Sequence, residues 1–484
     1  MGHSRFDTLN LVPQDTFRQL IAEFVADASP KKVSLASGMY WDEEGKVATL
    51  SVVEKAKKLL ELDSYPKHGY LPVHGNASFI HLTQRLVFGE TLAETLISGT
   101  GFQLASLQTV SGAGANHLGA HFLAHNLHPR RVWIPDVTWD NHSLIWQLAS
   151  DSMSQKAKPL EIKMYPYLDR EDHSLDFEGM MSVLAQEAET DDVLLLHACA
   201  HNPTGLDPSR EQWEIISNFC SHQKVFPFFD LAYQGLATGS LDKDAWAIRH
   251  FVRSNLELCV AQTFSKNMGL YGERVGSFHL VTASPNAAKR VFSQLTRQQH
   301  GEIYSPPAFG ASIATKILLD PELYNEWQRD IGLMHQRLTE MRIALVRELK
   351  SLGTPGCWEH LKKQVGMFAC TNLTPGQIHR LKTRYHIYVS NSGRISISGY
   401  FRERAPNAIH EEVYMTDINR LSINSRESKM HAATLEEIAE NGPDAFYSGR
   451  IANSIITAAT ATGSNKALQK RRDYNYLIQN TSDI

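Results

Sequence analysis

The chain has 484 residues, of which 42% are hydrophobic and 21% are charged, the profile of a globular protein with a large core. Its formal net charge of -4 lacks the basic excess typical of nucleic-acid binding, and no apolar run reaches the roughly 18 residues of a membrane span. Five widely spaced cysteines without a CxxC pair favour reduced thiols, and the first residues show no apolar signal region. We therefore expect a cytoplasmic protein with no nucleic-acid or membrane partner.

From about residue 100 to 280, short apolar runs rich in β-forming residues alternate with stretches of helical periodicity. The runs include RRVWIPDV, DDVLLLHACA, KVFPFFDLA and ELCVAQTFS, and the helical pattern PSREQWEIISNFCSHQ lies between two of them. This alternation predicts an α/β fold with a mainly parallel sheet covered by helices on both faces. Because ligands of such sheets lie beyond the carboxyl ends of the strands, we expect functional residues directly after the apolar runs.

A long helix is predicted to begin at Asp320 and Pro321, an N-cap followed by proline in the first turn. It would lead from a large domain into a smaller one, which would combine the start of the chain with the region after about residue 330. The predicted organisation is an N-terminal arm with part of the small domain (1–50), a large domain (51–325), the rest of the small domain (326–414) and a C-terminal extension (415–484).

Polar residues follow the apolar runs, as this fold requires of a ligand site. Asn202 follows one run, Asp230 and Tyr233 follow the next, and Lys266 follows another. Residues 111–114, SGAG, begin a predicted helix, where free N–H groups and the helix dipole favour an anion. Each motif alone is a common turn or structural pattern. Together they meet the needs of pyridoxal 5'-phosphate, which are an imine lysine, an acid at the pyridine nitrogen, donors to the phenolic oxygen and a phosphate cup.

Longer motifs carry a resemblance to a known family. HACAHNPTG, FFDLAYQGLATGSLDKDAWAIRHF and SKNMGLYGERVGSF closely resemble the aspartate aminotransferase family of fold type I pyridoxal-phosphate enzymes, as do YLPVHG, GMF and NSGRISISG. The resemblance covers roughly residues 15–400. It implies a large cofactor-binding domain, a smaller α/β domain and a homodimer with shared active sites. It also implies transfer of an amino group between an L-amino acid and a 2-oxo acid.

The resemblance assigns cofactor roles to matching positions. Lys266 would bind the cofactor and then act as general base, for which its pKa must fall below that of a free lysine. Asp230, supported by His142, would keep the pyridine nitrogen protonated, and Asn202 and Tyr233 would bond the phenolic oxygen. The remaining cofactor positions are Ser111, Gly112, Ala113, Thr263 and Arg274 at the phosphate, Trp139 stacked on the ring, and Tyr70 from the neighbouring subunit.

The resemblance also implies a substrate site, at which the chain departs from the family. Arg394 would bind the α-carboxylate bidentately, and Gly38, Trp139, Asn202 and Phe368 would lie around it. Dicarboxylate-specific members hold the side-chain carboxylate with an arginine six residues before a Pro-Pro pair. Here the pair is Pro306 and Pro307, and His300 occupies that position. We therefore expect a neutral, polar or aromatic substrate side chain.

Three alternatives remain open on the sequence. The same residues would serve another pyridoxal-phosphate reaction, such as a lyase, decarboxylase, racemase or carbon–carbon bond-forming reaction. Arg297, three positions before His300, would reach the site through a local bulge in an ordinary aspartate aminotransferase. A non-catalytic protein is the third alternative. Retention of Lys266 and Arg394 favours transamination.

Two further patterns are interpreted as structural. In the extension, TLEEIAENGPDAFYSGRIANSIITAA resembles a helical segment of γ-glutamyltransferases, and we expect it to carry no separate activity. His117, His121 and His125 recur every four residues on a predicted helix, but no glutamate lies between them in the zinc-binding pattern. No metal site is therefore predicted.

Overall fold

A computed structural model of the chain describes residues 4–12, 15–42, 46–63, 69–153, 158–399, 408–410 and 413. The chain divides into two units, residues 1–410 and residues 411–484. The γ-glutamyltransferase-like segment lies outside the described residues. The predicted domain boundaries at residues 50, 325 and 414 stay a prediction.

A mixed, mostly parallel sheet lies at the centre of the first unit. The strands in chain order are β1 (Val33–Ser34), β2 (Gln103–Val110), β3 (Arg131–Pro135), β4 (Glu161–Tyr165), β5 (Val193–His197), β6 (Phe226–Leu231), β7 (Leu258–Thr263), β8 (Val275–Thr282), β9 (Phe368–Cys370), β10 (Ile387–Tyr388) and β11 (Arg394–Ser396). Among the described residues, seven strands form the central sheet in the order β2-β8-β7-β6-β5-β3-β4. Strand β8 is antiparallel to both neighbours, whereas the other pairs are parallel. The predicted α/β fold is confirmed.

The helices of the described residues pack through apolar faces, some against this sheet and others against one another or the smaller sheets. They are α1 (Thr16–Ala26), α2 (Ser51–Leu62), α3 (Ala77–Phe88), α4 (Glu90–Ser98), α5 (Ser111–Asn126), α6 (Asn141–Asp151), α7 (Phe177–Glu187), α8 (Arg210–Gln223), α9 (Leu241–Asp244), α10 (Trp246–Arg253), α11 (Pro285–Ile303), α12 (Phe309–Leu319), α13 (Pro321–Ser351) and α14 (Pro375–Tyr385), with a 3-10 helix at Glu359–Lys363. One apolar cluster joins the strands to α5, α6 and α11. Another joins α2, α3, α12 and α13.

The predicted long helix is confirmed as α13. The Asp320 side chain accepts the backbone N–H groups of Glu322 and Leu323 at 2.9 and 3.2 Å, and the helix runs for 31 residues. Near its start, Trp327 Nε1 donates to the carbonyl of Asn267 at 2.7 Å. Further along, the buried Arg342 donates from Nη2 to the carbonyl of Phe368 at 3.0 Å. The helix thus bonds to the residue after Lys266 and to strand β9.

Two short sheets organise the later part of the chain, and the first of them also joins it to the start of the chain. Strand β1 pairs in parallel with β10, and β9 pairs antiparallel with β11. In the second pair Arg394 lies opposite Cys370, and Ser396 lies opposite Phe368. This register fixes the position of Arg394 beside β9.

None of the helices within the described residues has both the length and the apolar character that crossing a membrane requires.

Candidate active site

Parallel strands place the predicted residues at one edge of the sheet. His197 of β5 lies in register with Asp230 of β6, which lies in register with Ala261 of β7. The carboxyl ends of these three strands therefore meet. Asn202 follows β5, Tyr233 follows β6 and Lys266 follows β7, so the three side chains start from the same edge.

Asp230 ends a chain of polar groups that are buried except for the half-buried Thr138. Its Oδ2 lies 3.3 Å from His142 Nε2, and His142 Nδ1 lies 2.8 Å from Thr138 Oγ1. Thr138 Oγ1 in turn lies 2.9 Å from His197 Nε2. Burial raises the pKa of Asp230, but the hydrogen bond and charge of His142 together with the charges of His197 and Lys266 outweigh it, so the net pKa is lowered. Asp230 is therefore a fixed negative charge that can hold a cationic ring nitrogen.

Lys266 lies in the turn after β7, beside Tyr233. Its Nζ lies 5.2 Å from the centre of the Tyr233 ring. Burial lowers the pKa of Lys266, the positive charges of Arg274 and Arg394 lower it further, and the carboxylate of Asp230 opposes this change. A lowered pKa increases the share of neutral amine, which is both the nucleophile and the base.

Three buried hydroxyl groups meet at the start of α5. Ser111 Oγ lies 3.0 Å from Thr263 Oγ1 and 2.9 Å from Ser265 Oγ, and the latter two are 3.0 Å apart. The N-cap residue Val110 provides no side-chain cap, so the first-turn N–H groups after that of Ser111 remain available to a ligand. This donor set fits a phosphate group. The sequence interpretation missed Ser265, although it directly precedes Lys266.

Backbone geometry supports the same fit. A Cβ atom added at Gly112 would lie 3.1 Å from Thr263 Cβ, so a larger residue would crowd the hydroxyl cluster. Ala113 is half-buried on the same helical turn. The backbone N–H of Ser111 donates to the carbonyl of Arg274 at 3.0 Å, which brings Arg274 to this end of α5. The Arg274 side chain is exposed and donates to the Tyr271 carbonyl at 3.1 Å.

Arg394 is held in place by two hydrogen bonds, and its Nε donor has no partner among the described residues. It donates from Nη1 to Asn202 Oδ1 at 3.1 Å and from Nη2 to the Ala36 carbonyl at 3.0 Å. The guanidinium lies 4.2 Å from the centre of the Phe368 ring. Its buried Nε has no partner among the described residues. A Cβ atom at Gly38 would lie 3.2 Å from Phe368 Cζ, so Gly38 lets the backbone approach this ring. A carboxylate ligand would satisfy the free donor.

A cavity of about 320 Å³ opens beside Arg394. Its lining includes the apolar residues Phe17, Leu20, Val137 and Pro203, and also Asp136, Asp140 and Arg394. Trp139 is half-buried next to this wall, with its ring centre 5.2 Å from that of His142. The rest of the described lining is polar, with Thr16, Thr138, Ser390, Asn391 and Ser392, so the cavity has a mixed wall with a single arginine.

Tyr70 and His300 form a separate group with Tyr304. The ring of Tyr304 lies 5.4 Å from that of Tyr70 and 5.1 Å from that of His300. Tyr70 is 87% exposed. Gln108 connects the segment that follows Tyr70 to the segment that follows Tyr304. It donates to the Pro307 carbonyl at 2.8 Å and accepts the Asn76 N–H at 2.9 Å. The structure thus groups these residues on the surface of this chain.

Helix α11 contains no bulge between Arg297 and His300. It runs as an α-helix through Ile303, and both Arg297 and His300 are exposed on it. Three helical residues span only about 4.5 Å along the axis and lie on neighbouring positions of one face. Arg297 could therefore bind the substrate side chain in place of His300 through the length of its own side chain, without a bulge in the helix.

Comparison with known proteins places the chain in a family. The profile of the family "Aminotransferase class I and II" matches residues 30–411. An L-tyrosine:2-oxoglutarate aminotransferase of Aspergillus ustus is 42% identical over 403 residues, which cover 82% of this chain and 75% of the relative. The profile of the γ-glutamyltranspeptidase family matches residues 423–482, outside the described residues.

Solved structures agree with this assignment. The cytoplasmic aspartate aminotransferase of Saccharomyces cerevisiae is 38% identical with a TM-score of 0.80, covering 85% of this chain and 99% of that one. The aromatic-amino-acid aminotransferase of Burkholderia pseudomallei, covalently bound to pyridoxal phosphate, is 34% identical with a TM-score of 0.78, covering 85% and 100%. The expected family, activity and cofactor are confirmed. The chain belongs to the class I and II aminotransferases and is an enzyme that uses pyridoxal phosphate to transfer amino groups.

Proposed function

We propose that Lys266 is the cofactor lysine and the proton-transfer base, and that Arg394 binds the substrate α-carboxylate. One observation carries this proposal, a continuous series of contacts from the amine to the guanidinium. Lys266 lies over the Tyr233 ring at 5.2 Å, Tyr233 meets Phe368 edge-on at 6.0 Å, and Arg394 lies over Phe368 at 4.2 Å. A bound amino acid would have its carboxylate at Arg394 and its α-carbon toward Lys266.

The remaining residues hold the cofactor. Pyridoxal phosphate, when bound, supplies an electron sink for the bond broken at the substrate α-carbon. Asp230 would hold the proton on the ring nitrogen, and Tyr233 would donate to the phenolic oxygen, because burial raises its pKa and keeps it protonated. The other groups are Asn202 at the same oxygen, Trp139 against the ring, and Ser111, Gly112, Ala113, Thr263, Ser265 and Arg274 around the phosphate.

Proton movement is assigned to Lys266. Its neutral Nζ would take the proton from the substrate α-carbon, since the lowered pKa provides the basic form of the amine. Arg394 holds the carboxylate, which fixes the direction of that C–H bond relative to Nζ. The amino group would then pass to a 2-oxo acid in the second half of the reaction.

We infer that the preferred substrate side chain is neutral, polar or aromatic. The described lining of the cavity pairs apolar residues with Asp136 and Asp140, which would repel a second carboxylate. His300 replaces the fixed fork of an arginine with a ring that donates one hydrogen bond when neutral. The tyrosine and aromatic aminotransferases among the relatives accord with this preference.

We also propose a homodimer that works in the cytoplasm. The exposed group of Tyr70, His300 and Tyr304 would complete the site of a second copy, with Tyr70 at its phosphate and His300 at its substrate side chain. The yeast structure of similar fold comes from a cytoplasmic enzyme. A protein that elutes as a monomer while retaining full turnover would contradict the shared site.

An absorbance screen tests the substrate proposal. The holoenzyme is mixed with single amino acids, and the conversion of the yellow cofactor band is followed, with 2-oxoglutarate then added as acceptor. We expect tyrosine and phenylalanine to convert the band at lower concentration than aspartate. Faster conversion by aspartate would contradict the inferred side chain while leaving the assignment of Lys266 untouched.

A further inference from the structure

Two histidines of α5 and one glutamate of α11 converge on the surface away from the strand ends. His117 Nε2 lies 3.3 Å from Glu302 Oε1, and the rings of His117 and His121 are 4.1 Å apart. One ligand atom from each of the three residues lies within 4.8 Å of the others. Ligands of a tetrahedral zinc ion lie about 3.4 Å apart, so small side-chain rotations would bring all three to one ion.

The hydrogen bonds around His121 decide which of its ring nitrogens carries the lone pair. Ser152 Oγ donates its single hydrogen to the Ala149 carbonyl at 2.7 Å. The 3.3 Å contact from Ser152 Oγ to His121 Nδ1 must then use a proton on Nδ1. The lone pair of the neutral ring is therefore on Nε2. A carbonyl or hydroxyl group that holds one nitrogen and leaves the other bare is the usual arrangement of a metal-binding histidine.

An ordinary ion pair accounts for only part of this cluster. A protonated His117 would satisfy Glu302, whose Oε1 also accepts from Gln298 Nε2 at 2.9 Å. The ion pair between His117 and Glu302 would leave His121 Nε2 buried without a partner among the described residues. A buried polar atom without a partner destabilises a fold, so a group that uses Nε2 is expected.

We propose that His117, His121 and Glu302 bind one divalent transition-metal ion, zinc by preference. Two imidazoles and one carboxylate suit zinc better than calcium or magnesium, which prefer oxygen ligands. The sequence pattern argued against a metal because no glutamate lies between the histidines, but α11 supplies the carboxylate instead. The ion would link α5, which begins at the hydroxyl cluster, to the end of α11 that carries His300.

Metal titration of the holoenzyme tests this proposal directly. Cobalt(II) is added to the metal-free holoenzyme in a Cys357→Ser background, which removes the exposed thiol, and visible d–d absorption is followed, with zinc as competitor. We expect one cobalt per chain in a four-coordinate spectrum, displaced by zinc. In His121→Ala and Glu302→Gln the affinity should fall at least about tenfold.

The matched control is His222→Ala. His222 is an exposed helical histidine whose Nδ1 bonds the Asn218 carbonyl at 2.7 Å, and its loss should leave the titration unchanged. The cofactor band verifies that each variant is folded. Equal cobalt affinity in His121→Ala and the parent, or no saturable binding in the parent, would overturn the proposal and leave an ion pair with a bound water.

Discussion

The pocket around Asp230, Lys266 and Arg394 and the Tyr70–His300–Tyr304 group differ in how complete they are within one chain. In the pocket, Asp230 already has His142 beside it and Arg394 already has two acceptors. In the surface group, Tyr70 is 87% exposed, and its ring contact is to Tyr304. Preorganised groups serve the chemistry that all substrates share. In the proposed homodimer, the residues that would choose among side chains lie where a second copy would complete the site.

Replacing Lys266 should have the largest effect. Lys266→Ala removes both the covalent attachment and the base, so we expect turnover to be lost while the protein stays folded. Borohydride reduction of the parent followed by peptide mapping should label Lys266. Lys316→Ala is the control, since Lys316 makes a surface ion pair with Asp63. Label on a different lysine would contradict the assignment of the pocket.

Removing the charge of Asp230 should have the next largest effect. In Asp230→Ala the ring nitrogen loses its counter-charge, and we expect turnover to fall by about two to three orders of magnitude. The control Asp244→Asn removes a buried carboxylate that binds the N–H groups of Gly235 and Ala237. It should change stability more than rate. Near-normal turnover in Asp230→Ala would show that the ring nitrogen is not the electron sink.

The surface group should control substrate choice by a smaller factor. His300→Arg restores a fixed guanidinium, so the ratio of kcat/KM for aspartate over phenylalanine should rise about 10- to 100-fold. Arg297→Ala is its counterpart, because Arg297 lies one helical turn earlier. If the parent is fast on aspartate and Arg297→Ala abolishes that activity, Arg297 is the side-chain ligand and the enzyme is an ordinary aspartate aminotransferase.

The hydroxyl cluster should give the smallest effect. Ser265→Ala removes one of three interlinked hydroxyls, and a lost hydrogen bond of about 1 kcal/mol corresponds to roughly fivefold weaker cofactor binding. Ser217→Ala is the control, because its buried hydroxyl has no partner among the described residues. Equilibrium dialysis of the cofactor measures both. Equal affinities in the two variants would remove Ser265 from the phosphate site.

Local sequence patterns predicted part of the fold, which comprises β3, β5, β6 and β7, the long helix and the polar residues that follow the strands. Asp320 and Pro321 predicted the start of α13, and the apolar runs predicted the strands whose ends carry Asn202, Asp230 and Lys266. These signals depend on neighbours in the chain, so a single sequence contains them.

Contacts between distant segments could not be predicted in this way. The reversed direction of β8 has no local signal, because an apolar run reads the same in either orientation. Ser265 becomes informative only when the fold brings it to Ser111, and Glu302 only when α11 packs beside His117. In the proposed homodimer, the register of His300 against a substrate would depend on a second chain.

Helix α13 is hydrogen-bonded to other segments at two points, so the number of residues between those points fixes a distance on which the fold depends. Trp327 is bonded to the residue after Lys266, and Arg342 is bonded to strand β9. The 15 helical steps from Trp327 to Arg342 span about 22 Å. Inserting one residue between them would displace one anchor by about 1.5 Å and rotate it by about 100°. Side chains cannot compensate for a shift and rotation of that size, so at least one of the two hydrogen bonds would be lost. Along this stretch the chain should accept many substitutions on the exposed face, but no insertion or deletion.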